Sequence, residues 1–92
     1  MIAPHSLLSA AAMSTTPKNP SELLAIADEA LRSQPGCETA RVVALSPRPH
    51  ANAGRNWEIP NVVLGDSLIS DVDRAVITVH RQLGRRFHLV DG

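Results

Sequence analysis

Several residue types are scarce in this sequence, and each shortage excludes a class of protein. Its 92 residues include one cysteine, Cys37, which excludes an internal disulfide framework and a cysteine-rich zinc module. Besides histidine, Trp57 and Phe87 are the only aromatic residues, and both are needed for a core, so none is left to stack on bases. The five glycines are too scattered for a phosphate-binding loop. No apolar run reaches the roughly 18 residues of a membrane span, so we expect no membrane association.

The charge is balanced, with 9 Lys and Arg against 9 Asp and Glu and a formal net charge of zero. This balance excludes a histone-like polycation and a highly charged disordered chain. The hydrophobic fraction of 43% is that of ordinary soluble proteins, so we expect a small cytoplasmic domain. The basic residues are eight arginines and a single lysine, Lys18.

Residues 1–18 lack the pattern of a folded segment. Leu7, Leu8 and a run of alanines suggest a signal peptide, but no basic residue precedes them and Pro4 interrupts the apolar stretch. We interpret residues 1–18 as a disordered tail, or Met13 as the true start, and residues 19–92 as one domain.

Capping signals and a 3.6-residue period predict a first helix over about 20–33. Asn19 is the expected N-cap, Pro20 suits the first turn, and Glu22 completes a capping box. Pro35 and Gly36 stop the helix. The helical wheel places Ala25, Asp28, Glu29 and Arg32 on its polar side.

The same period returns from Leu68 to Phe87 and predicts a second helix. Ser70 with Asp73 three residues later resembles a capping box. Gly84 is unfavourable inside a helix, so we expect the helix to fray or end there.

Between the helices, residues 39–45 and 55–59 are predicted strands, and 46–54 is a proline-rich loop that joins them as an antiparallel hairpin. Pro60-Asn61 is expected to break the second strand. A third short strand is expected at 62–64 or at 88–90.

These elements predict an α+β fold, a two-layer α-β-β-(β)-α arrangement with a small antiparallel sheet covered on one face by two helices. Trp57 is the expected large core residue. About 72 residues bury only about 60–65% of their unfolded surface, and a two-stranded sheet has exposed edges. Dimerisation would relieve both problems.

No set of side chains in the sequence is typical of an enzyme or a metal site. Cys37 has no basic neighbour and is best interpreted as a small buried hydrophobe. Asp71 and Asp73 are two residues apart on the second helix and point apart, so they do not form a general-acid pair. The four histidines lack the spacing of zinc ligands, so we expect no catalytic residue, cofactor or metal.

The arginines are the best candidates for contact with a partner. Arg74, Arg81 and Arg85 fall on the outer face of the second helix, and Arg48 and Arg55 flank the loop between the strands. A solvated arginine face is the first interpretation. Contact with a protein partner or with nucleic acid is the functional alternative.

Two resemblances bear on this choice. The element order, the arginines and Pro47-Arg48-Pro49-His50 resemble the double-stranded-RNA-binding domain, which implies phosphate contacts by the loop and the helix start. That family has consecutive lysines where this chain has Ser70-Asp71-Val72-Asp73, whose acids would repel phosphate. The run Gly54–Ile59 resembles a Gly-x-Asn-Trp-x-Ile/Val strand motif of small uncharacterised bacterial proteins, which supports the fold and implies no activity.

The preferred hypothesis is a non-enzymatic protein-interaction domain whose partner is an unknown protein or a second copy of itself. The alternative is a nucleic-acid-binding module that uses the five arginines.

Overall fold

The computed structural model describes residues 15–48 and 55–90. In chain order the elements are β1 (Thr16–Lys18), α1 (Pro20–Arg32), β2 (Arg41–Val42), β3 (Ser46–Pro47), β4 (Trp57–Glu58), β5 (Val62–Val63), α2 (Ile69–Gly84) and β6 (Phe87–Leu89). Two helices and small antiparallel strand pairs confirm the predicted α+β class. Within the described ranges, neither helix has the length and apolar character needed to traverse a lipid bilayer.

The N-terminal cap of α1 is the one that the sequence predicts. The Asn19 side chain accepts a hydrogen bond from the Glu22 N–H at 2.8 Å, and the Asn19 N–H donates to the Glu22 carboxylate at 3.2 Å. Pro20 occupies the first turn. After the helix, Gly36 has a φ of +80°, and a Cβ there would lie 2.7 Å from Asp71 Oδ2, so only glycine fits this turn.

The four strands β2 to β5 form one interrupted antiparallel hairpin. Arg41 pairs with Val63 in β2–β5, and Pro47 pairs with Trp57 in β3–β4. The two ladders share one register, because three residues separate them on each side, 43–45 and 59–61. Pro60 lies in this gap and has no N–H to donate, which confirms the predicted break at Pro60-Asn61.

The strand boundaries differ from those predicted in this hairpin. Ser46–Pro47 is a strand, although the sequence places it in the loop, and residues 49–54 of that loop lie outside the described residues. The predicted strands 39–45 and 55–59 contain the shorter β2 and β4. The proposed strand at 62–64 is present as Val62–Val63, and it continues the hairpin instead of forming a separate third strand.

A parallel pair joins the two ends of the described chain. Thr16 pairs with Phe87 and Lys18 with Leu89, so the predicted strand at 88–90 exists as β6. The predicted disordered tail, residues 1–18, therefore includes three residues that belong to the fold, because backbone hydrogen bonds pair residues 16–18 with β6. Residues 1–14, which carry the rest of that prediction and Met13, lie outside the described residues.

Two side chains link β6 to the hairpin where no backbone ladder does. Asn56 Oδ1 accepts the Leu89 N–H at 2.8 Å, and Asn56 Nδ2 donates to the Leu89 carbonyl oxygen at 2.9 Å. The amide thus satisfies both backbone groups of Leu89, as a neighbouring strand would. Next to it, Trp57 Nε1 donates to the Phe87 carbonyl oxygen at 3.2 Å.

The core lies between the two helices and the hairpin. Trp57 is fully buried, which confirms its predicted role as the large core residue. The other buried apolar residues come from both helices, the connection between α1 and β2, the hairpin and β6: Leu23, Ala27, Leu31, Cys37, Ala40, Val42, Ile59, Val72, Ala75, Val79, Leu83 and Phe87.

Asp28 is also buried, at 7% exposure, although the helical wheel places it on the polar side of the helix. Its carboxylate accepts hydrogen bonds from the Arg41 guanidinium at 3.0 and 3.1 Å and from the Val42 N–H at 2.9 Å. Burial alone raises the pKa of Asp28, but the hydrogen bonds from Arg41 and Val42 and the charges of Arg41 and Arg32 lower it overall. The Asp28 side chain therefore joins β2 to α1 through these hydrogen bonds.

The start of α2 also corrects a prediction. The N-cap is Leu68, whose carbonyl oxygen accepts the Val72 N–H at 3.0 Å, and no side chain caps this end. The helix already includes Ser70, so Ser70 cannot cap it with Asp73.

The pairing of Asn56 with Leu89 gives a test of this fold. Replacing Asn56 with Ala leaves the Leu89 backbone groups unpaired in a half-buried place, so we expect a loss of about 1–3 kcal/mol in the free energy of unfolding. The control is Asn61→Ala, an exposed asparagine of the same hairpin, which should change stability by less than about 0.5 kcal/mol. Urea unfolding measures both. Small and equal losses of stability in the Asn56→Ala and Asn61→Ala variants would contradict the role given to Asn56.

Candidate functional site

The surface of α2 that faces away from the core carries the candidate site. At its C-terminal end, a hollow of about 440 Å³ is lined by Arg55, Ile77, His80, Arg81, Gly84 and Arg85. We call this hollow the arginine cleft. Three guanidinium groups therefore lie around one depression, although Arg55 is far from the other two in sequence.

Arg55 is positioned by the Trp57 carbonyl group of β4 and by Gly84. Its Nε donates to the Trp57 carbonyl oxygen at 2.9 Å. Its side-chain stem crosses α2 at Gly84, where an added Cβ would lie 3.3 Å from both Arg55 Cβ and Arg55 Cδ. The helix includes Gly84 and ends there, as predicted, with Arg85 as the C-cap. The absence of a side chain at Gly84 gives Arg55 its place across the helix.

His80 fixes the hairpin to α2 at the floor of the cleft. Its Nε2 accepts the Ile59 N–H at 2.9 Å, and its ring lies 5.8 Å from the Trp57 ring. Burial, and then the positive charge of Arg55, lower the pKa of His80, while Glu58 acts in the opposite direction. The ring is therefore neutral near pH 7, with its proton on Nδ1.

A second hollow, of about 540 Å³, continues from the arginine cleft toward the start of α2. We call it the apolar groove, since most of its lining is apolar; it is lined by Ile59, Pro60, Asn61, Val62, Val72, Asp73, Val76, Ile77 and His80. Ile77 and His80 belong to both hollows, so the cleft and the groove form one continuous surface.

Along both hollows, every fourth residue from the start of α2 to its C-cap is exposed, in the order Ile69, Asp73, Ile77, Arg81 and Arg85. We call this row the α2 ridge. Residues four apart lie next to each other on a helix surface, so the row is continuous. Ile77 is 58% exposed and lies between an acid on one side and two arginines on the other. Among the described residues, no ion pair involves Asp73, Arg81 or Arg85.

The structure separates the five arginines that the sequence groups together. Arg55, Arg81 and Arg85 meet at the arginine cleft. Arg48 instead forms an ion pair with Glu58 at 2.9 Å, across the β3–β4 ladder. Arg74 is 77% exposed, lies outside the cleft, and approaches Asp71 at 3.9 Å.

Ile77 lines both hollows but is not among the candidate residues that the sequence predicts. Those candidates include the arginines of the second helix and leave out the apolar residue that lies four residues before Arg81 and four after Asp73. That spacing is visible in the sequence. The convergence of Arg55 on Gly84 is not, because the two residues are far apart along the chain.

Cys37 and the titratable side chains of the described residues are the other candidates for chemistry. Cys37 is fully buried, and burial, with the charges of Asp71 and Glu38, raises the pKa of its thiol, which disfavours the nucleophilic thiolate. Within residues 15–48 and 55–90, no three His, Cys, Asp or Glu side chains lie close enough together to hold a metal ion. Guanidinium groups beside an apolar groove recognise carboxylates, phosphates and apolar side chains.

No family model, curated protein or solved structure matches this chain. The resemblances of the Gly54–Ile59 run and of the Pro47–His50 loop therefore stay predictions. The described part of the first run has a structural explanation, because Asn56 and Trp57 join the hairpin to β6.

The bond between His80 and Ile59 predicts a dependence of stability on pH. Because the pKa of His80 is lower in the folded chain than its ordinary 6.5, the unfolded chain binds a proton first as pH falls. The contribution of neutral His80 is complete above about pH 6.5 and is lost as pH falls from there through the folded pKa. NMR titration of the His80 ring should give a pKa below 6.5.

The matched variant is His80→Gln, whose amide oxygen can still accept the Ile59 N–H but does not titrate. Urea unfolding between about pH 5 and 7.5 should show a smaller loss of stability for this variant than for the parent chain. A His80 pKa above 6.5, or identical pH dependence in the two proteins, would contradict the assignment.

Proposed function

We propose that this chain is a small non-enzymatic protein-interaction domain and that the α2 ridge, with the apolar groove beside it, is its binding surface. One observation carries the proposal. Ile77 is largely exposed, although it adjoins a groove lined by Pro60, Val62 and Val76. An exposed apolar patch with charged residues at its rim is typical of a surface that binds another protein.

The position of this patch supports the same function. The opposite face of α2 packs in the core, where four of its residues are buried: Val72, Ala75, Val79 and Leu83. The ridge therefore contributes little to the core of its own domain, and its exposed apolar residues are available to another molecule. Charged residues on both sides of Ile77 would fix the orientation of that molecule.

The arginine cleft favours the alternative function, a nucleic-acid-binding module, because Arg55, Arg81 and Arg85 could contact phosphates. Three features weigh against it. Asp73 lies on the same ridge, and Arg48 is paired with Glu58. The two aromatic side chains cannot stack on bases, because Trp57 and Phe87 are buried and the Arg86 guanidinium covers the Phe87 ring at 5.1 Å.

Site-specific photo-cross-linking in cells tests the proposal, because it captures a partner whose identity is unknown. A benzophenone amino acid replaces Ile77 in one variant and Val43 in the other. Val43 is the matched control, because it is an apolar hairpin residue with 51% exposure against 58% for Ile77. We expect adducts with protein from position 77 and few from position 43, since only position 77 lies on the ridge.

Treatment of the adducts with nuclease and with protease separates the two functions. Protein adducts specific to position 77 support the proposal, whether the captured protein is a second copy or a different chain. Adducts that nuclease removes would instead support the nucleic-acid alternative. Equal labelling from positions 77 and 43, or none from position 77, would contradict a binding role for the ridge.

A further inference from the structure

We infer that the partner of this surface is a second copy of the chain, packed against it through an antiparallel, two-fold pairing of α2. The inference rests on the proposed function and names the occupant of the same surface. Its basis is the centre of the α2 ridge, where Asp73, Ile77 and Arg81 follow one another in an order that is complementary to itself when reversed. Ile69 and Arg85, at the two ends of the ridge, are not part of this match.

The charges on the ridge are placed symmetrically about Ile77. Asp73 lies four residues before it and Arg81 four residues after it, and all three are exposed. A two-fold axis that passes beside Ile77 reverses the direction of the second helix. Each Asp73 then lies beside Arg81 of the second copy, and the two Ile77 side chains meet between these pairs. Because the axis is two-fold, the ion pair between Asp73 of one copy and Arg81 of the other forms twice.

The spacing along the helix fits such an interface. Residues four apart are separated by roughly 6 Å along the axis, so each charge lies one turn from the apolar centre. Rows of residues at this spacing form the ridges that pack into the grooves of another helix at a crossing angle of about 50°, the commonest class of helix packing. The ridge of α2 therefore has the form that a second helix requires.

The apolar groove provides the space for the second copy's Ile77. It adjoins the ridge, shares Ile77 with it, and is lined by Pro60, Val62 and Val76. Burial of exposed apolar surface in a groove of the same character is favourable. The ion pairs at either side of this contact would fix the register of the two helices.

A second copy matches the charges of Asp73 and Arg81 better than a partner whose charges are all of one sign. A polyanion, whether an acidic peptide or a nucleic acid, would gain Arg81 and Arg85 but would place negative charge beside Asp73. A polycation would be repelled by the two arginines. A reversed second helix matches Asp73 with Arg81 and Arg81 with Asp73, and leaves Arg85 exposed at the edge of the contact. Among the described residues, Asp73 and Arg81 have no ion-pair partner within the chain, so both are available for this pairing.

Charge reversal in the full chain of 92 residues tests the inference. Asp73→Arg makes both members of each pair basic, and Arg81→Asp makes both acidic. We expect the parent chain to sediment as a dimer, and either variant to weaken the association at least about tenfold. The matched control is Arg74→Asp, which makes the same charge change as Arg81→Asp on the same helix, outside the ridge. It should change the dissociation constant by less than about threefold.

Mixing the two variants gives the decisive result. An Asp73→Arg chain and an Arg81→Asp chain present complementary ridges to each other, so an equimolar mixture should form heterodimers under conditions where each alone is monomeric. The double variant, with both changes in one chain, should recover the homodimer. Far-UV circular dichroism and thermal unfolding show that each variant is folded.

Three results would overturn the inference. The parent chain could remain monomeric at about 1 mM, the mixture could remain monomeric, or Arg74→Asp could weaken association as much as Arg81→Asp does. If the parent chain is monomeric but position 77 cross-links to a different protein, the inference fails and the proposed function stands.

Discussion

The hydrogen bonds that Asn56 and Trp57 make with β6 are the interaction on which the arrangement of this domain depends. Its strands pair over only two or three residues, and no backbone ladder joins β6 to the hairpin. The Asn56 amide replaces that ladder at Leu89, and the Trp57 indole N–H satisfies Phe87. Because Trp57 is also the largest buried side chain, one dipeptide both fills the core and joins its parts.

The geometry of the candidate site depends on these hydrogen bonds between Asn56, Trp57 and β6. With Trp57 fixed, the backbone on either side of it is placed against α2, so Ile59 donates to His80 and Arg55 lies across Gly84. The arginine cleft and the apolar groove both adjoin this contact, because His80 lines each of them. The buried side of α2 packs in the core, and the α2 ridge stays exposed.

Local signals in the sequence predicted local structure well, and long-range contacts account for most of the differences. Asn19, Pro20 and Glu22 determine the start of α1 within four residues of chain, and the helical period determines both helices. By contrast, β1 forms only because β6 is available to pair with it, and Asp28 is buried only because Arg41 and Val42 reach it. For the same reason, the sequence predicted Arg81 and Arg85 on one face but could not predict that Arg55 joins them while Arg48 pairs with Glu58.

The proposed role of the α2 ridge is that of a contact surface centred on Ile77. An isotope-filtered nuclear Overhauser experiment measures this contact directly, in an equimolar mixture of ¹³C-labelled and unlabelled chain at a concentration where the chain is dimeric. The account predicts intermolecular signals from the Ile77 methyl groups to Ile77 and to the groove residues Pro60 and Val62 of the other copy. Intermolecular signals confined to residues away from α2, or none from Ile77, would contradict it.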